Sequence, residues 1–190
     1  MAVGLHRGRP GRSGAGSAPT RVERRVYVRA APRTVWATLH DVANARLLVP
    51  ELDPGVTATT WPAAAAVRHG RARLGLLREP ALAESLEARP VSRFRYRIAG
   101  DGFVSEWGWT LEPIAGGTRV VHDGSFASTD RVTSLLVRVG TSLEGRVETH
   151  LRLLKERAEA AEAVRAEAAE AARTEVVPGA GPGGDIDSIA

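Results

Sequence analysis

The 190-residue chain contains no cysteine, which excludes disulfides, thiolate metal sites and a cysteine nucleophile, and fits a reducing cytoplasm. No apolar run approaches the roughly 18 residues needed to cross a bilayer, so stable membrane insertion is not expected. Gly-x-Ser-x-Gly turns and phosphate-cradling glycine loops are missing, and the glycine-rich stretches fall in tails and hairpin tips. His6, His40, His69 and His150 lack metal-ligand spacing to one another or to carboxylates, so neither a metal nor a cofactor is expected. Lysine occurs once, as Lys155, and aromatics make up only 5% of residues. Each aromatic therefore has to be placed.

The net charge of +4 conceals two oppositely charged ends. Residues 1–25 carry six Arg against Glu23, and residues 158–190 carry two Arg against seven acids. Arginine is the standard cation everywhere, so the basic balance reads as compositional habit rather than a nucleic-acid surface. Residues 1–20 are Gly, Pro, Ser and Arg without periodicity and lack the apolar centre of a secretory signal; they are expected to be a disordered tail, as is 178–190. A single domain is expected between them, over 21–157, with 158–177 a polar extension of its last helix.

The order of elements follows from hydrophobic period. "RVERRVYVRA" alternates Val22, Val26 and Val28 with charged positions and suits a half-buried strand. In "APRTVWATLHDVANARLLVPEL", Pro32 opens a helix whose apolar stripe is Val35, Trp36, Leu39 and Val42, and a second short helix ends at Pro50. His40-Asp41 closes the first of these, and Trp36 reads as a core anchor. Six strand-like runs follow: "VTATTW", "AVRHGRARL", "ALAESLEARP", "VSRFRYRIA", "FVSEWGWTLEP" and "TRVVHDGSF".

Two of these runs alternate sharply. Phe94, Tyr96 and Ile98 share one face against Arg93, Arg95 and Arg97, while Phe103, Trp107, Trp109 and Leu111 share a face of the next strand. "AGDG" joins them as a hairpin with glycines available for positive φ. A second hairpin turns at Gly116-Gly117 and returns with Val120, His122 and Phe126 on one side, although Gly124 allows a bulge. The last element is a long helix, capped by Asp130, with Val132, Leu135, Val139, Leu143, Val147, Leu151 and Leu154 as its stripe.

The expected fold class is therefore α+β, a curved antiparallel sheet of about seven strands, with two short helices after the first and a long C-terminal helix packed across it. The stretch from Pro32 to Pro50, the "LEARPVSRFRYRI" segment and "EWGWTLEPIAGGTRVVHDGSF" resemble the START-like (SRPBCC) superfamily, within it the polyketide cyclase/dehydrase and lipid-transport group. That resemblance, covering about Arg21 to Arg157, implies a helix-grip fold that holds an apolar ligand, a lipid, polyketide or quinone, between sheet and helix.

Phe94, Tyr96, Phe103, Trp107, Trp109, His122, Phe126, Leu135, Val139 and Leu143 are the expected pocket residues, and a small hydrophobic molecule the expected partner. The alternative that the resemblance implies is a cyclase or dehydratase that polarises a carbonyl with interior groups. Tyr96 and His122 are the candidates for that role, with Arg71, Arg73 and Ser105 behind them. His122 and Asp123 are sequence neighbours on a strand, point to opposite faces and form no dyad.

Overall fold

A computed structural model describes residues 19–41, 67–74, 77–128, 132–133, 135 and 143–175. Its elements are β1 (Thr20–Val28), α1 (Pro32–His40), β2 (Val67–Leu74), β3 (Leu77–Arg89), β4 (Arg93–Ala99), β5 (Phe103–Ile114), β6 (Gly117–Ser128) and α2 (Leu143–Glu175). The six strands form one antiparallel sheet in the order β1-β6-β5-β4-β3-β2, curled into a half-barrel. The expected strand at "VTATTW" and the second short helix lie outside the described residues.

Alternation decides which face is which. On β4, Phe94, Tyr96 and Ile98 are fully buried while the intervening arginines stay half-exposed. On β5 and β6 the buried sets are Phe103, Ser105, Trp107, Trp109 and Leu111, and Thr118, Val120, His122, Phe126 and Ser128. The register stacks these into rows, with Phe94 opposite Trp109 and Trp109 opposite His122. Each buried ring removes about 150–250 Å² from water, on the order of 4–6 kcal/mol by area.

Pro32 starts α1 as expected, with no side-chain cap; Ala31 O instead accepts from the Thr34 and Val35 amides. Val35 and Leu39 are fully buried and Trp36 partly so. α2 lies along β1 and α1 and touches β6 more lightly. Its inward stripe is Val147, Leu151, Leu154 and Ala158. Arg24 of β1 bridges to Glu144 and Glu148, while Glu159 takes the Arg29 amide at 2.8 Å and Lys155 Nζ at 2.5 Å. Contact extends about two turns further, because Arg165 Nη1 donates to Thr34 Oγ1 at 3.0 Å.

Several local expectations are corrected. The ladder runs through Gly124 without a register shift, and the bulge falls instead between Ser85 and Glu87 of β3. Gly124 is needed for another reason: a Cβ there would overlap the indole of Trp107 at Cε3. The "AGDG" turn closes without a left-handed glycine, and the positive φ values fall at Gly116 (77°) and Val91 (64°). β3 continues through Pro80, opposite Arg71, where β4 has ended and the strand has one neighbour, a position that tolerates a missing donor. Val132 and Leu135 are 68% and 60% exposed, so they do not continue the buried stripe.

Candidate functional site

The aromatic side chains of β4, β5 and β6 lie on the inner face of the curled sheet, the side on which α1 and α2 pack. Phe94 and Tyr96 stack with centroids 5.5 Å apart, Phe103 and Phe126 at 5.8 Å, and Trp109 and His122 at 3.7 Å. α1 adds to this row: His40 stacks on Trp36 at 4.1 Å and meets Phe94 edge-on at 6.0 Å. Of the expected pocket residues, Phe94, Tyr96, Phe103, Trp107, Trp109, His122 and Phe126 are brought together on this face, each under 7% exposed. Leu135 is not, being exposed; Val139 and the Leu143 side chain lie outside the described residues.

The polar groups on this face were less legible. Ser85, Ser105, Trp107 and His122 are all 2% exposed or less, yet the two serine hydroxyls, the indole N–H and His122 Nε2 have no hydrogen-bond partner among the described residues. The register relates them. Ser85 lies opposite Tyr96, Tyr96 opposite Trp107, and Ser105 two residues before Trp107 on β5, opposite Ile98. Such atoms are few in folded proteins because each loses its hydration without return. These four, with His40 Nε2 on α1, share the inner face.

His122 has a defined electronic state. Its Nδ1 lies 2.8 Å from the Gly108 carbonyl, which can only accept, so Nδ1 carries the hydrogen. Complete burial drives its pKa down to about 3, against the raising effect of that bond, and His150 on α2 pushes in the same direction as burial. At neutral pH the ring is a hydrogen-bond acceptor through Nε2 and not a proton shuttle. His40 repeats the arrangement, with Nδ1 2.6 Å from Trp36 O, Nε2 unpartnered and a pKa lowered mainly by burial.

Arg71 is exposed, so it does not reach the inner face; the Arg73 side chain lies outside the described residues. Asp123 sits on the outer face over Gly108, away from His122. The outer face also has a cleft of about 420 Å³ bordered by Arg21, Glu23, Arg95, Glu106, Asp123 and Ser125, a charged and open surface unlike the aromatic side. Among the described residues no group of three or more His, Asp or Glu could hold a metal, and no helix is long and apolar enough to cross a membrane.

Ser85 and His40 were missed in the sequence. Ser85 sits in an Ala-rich run whose register is changed by the neighbouring bulge, and His40 ends a short helix where a turn residue is ordinary. Ser105 was weighed but could not be placed, because its face depends on the register.

A six-stranded half-barrel gripping a long C-terminal helix, with the aromatic side chains of β4, β5 and β6 turned inward, defines a helix-grip protein of START-like fold. The chain belongs to the family described as "Polyketide cyclase / dehydrase and lipid transport", whose model matches residues 19–159. The TTHA0849 protein of Thermus thermophilus is similar in structure, with 24% identity and a TM-score of 0.57 over 75% of this chain and 99% of that one. DR_A0006 of Deinococcus radiodurans is similar at 18% identity and a TM-score of 0.51, over 74% and 97% of the two chains. Norcoclaurine synthase of Thalictrum flavum, in complex with dopamine and hydroxybenzaldehyde, shares the fold at 8% identity and a TM-score of 0.55, over 82% and 95%. No curated protein matches the chain. The fold is thus of a ligand-binding or cyclase type.

Proposed function

We propose that the protein binds or carries a small, largely apolar molecule against the inner face of the sheet, between it and α2. The observation that carries this reading is the company of aromatic rings with four buried, unpartnered polar groups, on Ser85, Ser105, Trp107 and His122. A core filled only for stability gains nothing from such groups, whereas a ligand site is mostly apolar with a few polar atoms that orient what it holds. Lipids and polyketides, which the family description names, are ligands of this kind, and quinones share their flat apolar character. The test is N-phenyl-1-naphthylamine fluorescence together with native mass spectrometry of protein taken from cells. Saturable enhancement, or a co-purifying small molecule, is expected; no enhancement and a bare mass would overturn the reading.

A second reading, a polyketide cyclase or dehydratase, is favoured by one placement: Tyr96 lies in the same cross-strand row as Ser85 and Trp107, where its hydroxyl could polarise a carbonyl. It ranks below the first because His122 is held neutral and supplies no base at neutral pH. A synthetic aryl polyketone whose aldol closure yields a naphthol chromophore tests it. Tyr96→Phe is expected to abolish closure while leaving the fold intact, and unaltered turnover removes Tyr96 from the role.

A further inference from the structure

We propose that the cleft on the outer face of the sheet is a second site, separate from the inner face, and takes a small zwitterion of dipeptide size: its ammonium pairs with Asp123 and its carboxylate with Arg95. The cleft measures about 420 Å³, within the size range of small-molecule sites. Two cross-strand rows build it, Arg95, Gly108, Asp123 and Glu23 in one, and Arg97, Glu106, Ser125 and Arg21 in the other. Gly108 has no side chain, so the floor between Arg95 and Asp123 lies open across two strand spacings, about 10 Å.

Charge in these rows is only partly paired. Asp123 stands directly opposite Glu23, a like-charged pair of the kind that destabilises a sheet. Its carboxylate leans the other way, over Gly108, and has no hydrogen bond or ion pair among the described residues. Glu23 and Glu106 are each engaged through one oxygen, by Arg25 and Arg97 respectively. Arg95, by contrast, reaches only Glu106 Oε2, at a long 3.9 Å, and Arg21 has no ion pair among the described residues. Setting aside the pairs already made leaves one carboxylate and two guanidiniums around an open floor. All three can be reached: Arg95 and Asp123 are half-buried and Arg21 is exposed.

A bare anion in this cleft would be repelled by Asp123, Glu23 and Glu106, and a bare cation by Arg21 and Arg95. A ligand bearing both signs meets the opposite charge at each end. A dipeptide, roughly 7 Å long when extended, can span the floor over Gly108 with its ammonium at Asp123 and its carboxylate at Arg95. Ser125, whose hydroxyl can donate or accept, lines the cleft beside it.

The experiment titrates ¹⁵N-labelled protein at pH 7 with L-alanyl-L-alanine, with its N-acetyl form, which lacks the ammonium, and with its C-terminal amide, which lacks the carboxylate. The amide shifts of Gly108, Gly124 and Ser125 are followed. The dipeptide is expected to saturate those shifts at millimolar concentration and to bind about fivefold more tightly than either capped form, the equivalent of one partly exposed ion pair. Asp123→Asn should abolish the preference over the acetylated form and keep the preference over the amide; Arg95→Gln should do the reverse. If Arg95→Gln fails to fold by circular dichroism, Asp123→Asn and the wild-type preferences still decide. Equal affinity for the three peptides, or no shift at these amides, overturns the inference. Binding of N-phenyl-1-naphthylamine at the inner face should be the same with and without the dipeptide, and competition between the two would also overturn it.

Discussion

Gly124 and Trp107 occupy one space: directly opposite each other on β6 and β5, they sit so that a Cβ on the glycine would overlap Trp107 Cε3 and lie 2.5 Å from Cζ3. The indole is rigid and buried, so it cannot yield to an added methyl group without leaving its place in the row. Gly124→Ala is expected to cost about 1–3 kcal/mol, the usual range for overpacking, and to alter the near-ultraviolet circular dichroism of the tryptophans. A urea midpoint and spectrum identical to wild type would show that Trp107 does not fill that space.

Val91 carries the opposite kind of signal. It follows Pro90 in the β3–β4 turn, with the Ser92 amide bonded to Arg89 O at 3.1 Å, and it holds φ at 64°. This is the third position of a type II turn, which favours glycine, while a β-branched side chain there is strained. Val91→Gly is expected to stabilise the protein by about 1 kcal/mol, the relief of strain exceeding the entropy that glycine adds to the unfolded chain. Urea unfolding checks it, and a lower midpoint would refute it.

The state of His122 predicts a pH dependence of stability. Its folded pKa of about 3 lies below the ordinary value of 6.5, so between these limits the unfolded chain binds a proton that the folded chain refuses. Stability is fully present above pH 6.5 and is lost progressively as pH falls toward 3, at up to roughly 1.4 kcal/mol per unit. His40, also lowered by burial, acts in the same sense. Urea midpoints measured from pH 7 to pH 4 should fall in wild type and fall less steeply in His122→Phe. Parallel curves would mean that the imidazole titrates normally.

The junction of α2 with β1 turns on Glu159, which accepts the Arg29 amide at 2.8 Å and Lys155 Nζ at 2.5 Å, two bonds that hold its carboxyl below the usual range. Because the site is largely solvent-screened, Glu159→Gln is expected to cost only about 1 kcal/mol and to reduce the salt sensitivity of unfolding. Thermal unfolding at low and high salt measures both. No change in either would place the helix docking in its apolar stripe alone.

How much of this was legible depends on range. Alternation along β4 and β5 assigned Phe94, Tyr96, Trp107 and Trp109 to one face, because a pleated strand sends neighbouring side chains in opposite directions whatever surrounds it. Pro32, Val35 and Leu39 located α1 in the same way. Val132 and Leu135 show the limit of such reasoning: they fit the helical period of the last element, yet no partner surface covers them.

The polar part of the site required contacts between distant residues. That Gly108 holds His122 Nδ1, that Ser85 faces Tyr96 across a bulge, and that Gly124 makes room for Trp107 are relations between strands. Residue order alone was enough for α1, for the strands β4 and β5 with their inward faces, and for the family, since these depend on periods of two and 3.6 residues within one segment. Which polar atoms of the inner face lack partners among the described residues, and that His122 stays neutral, followed from the packing of distant segments, because register, burial and the resulting desolvation arise between them.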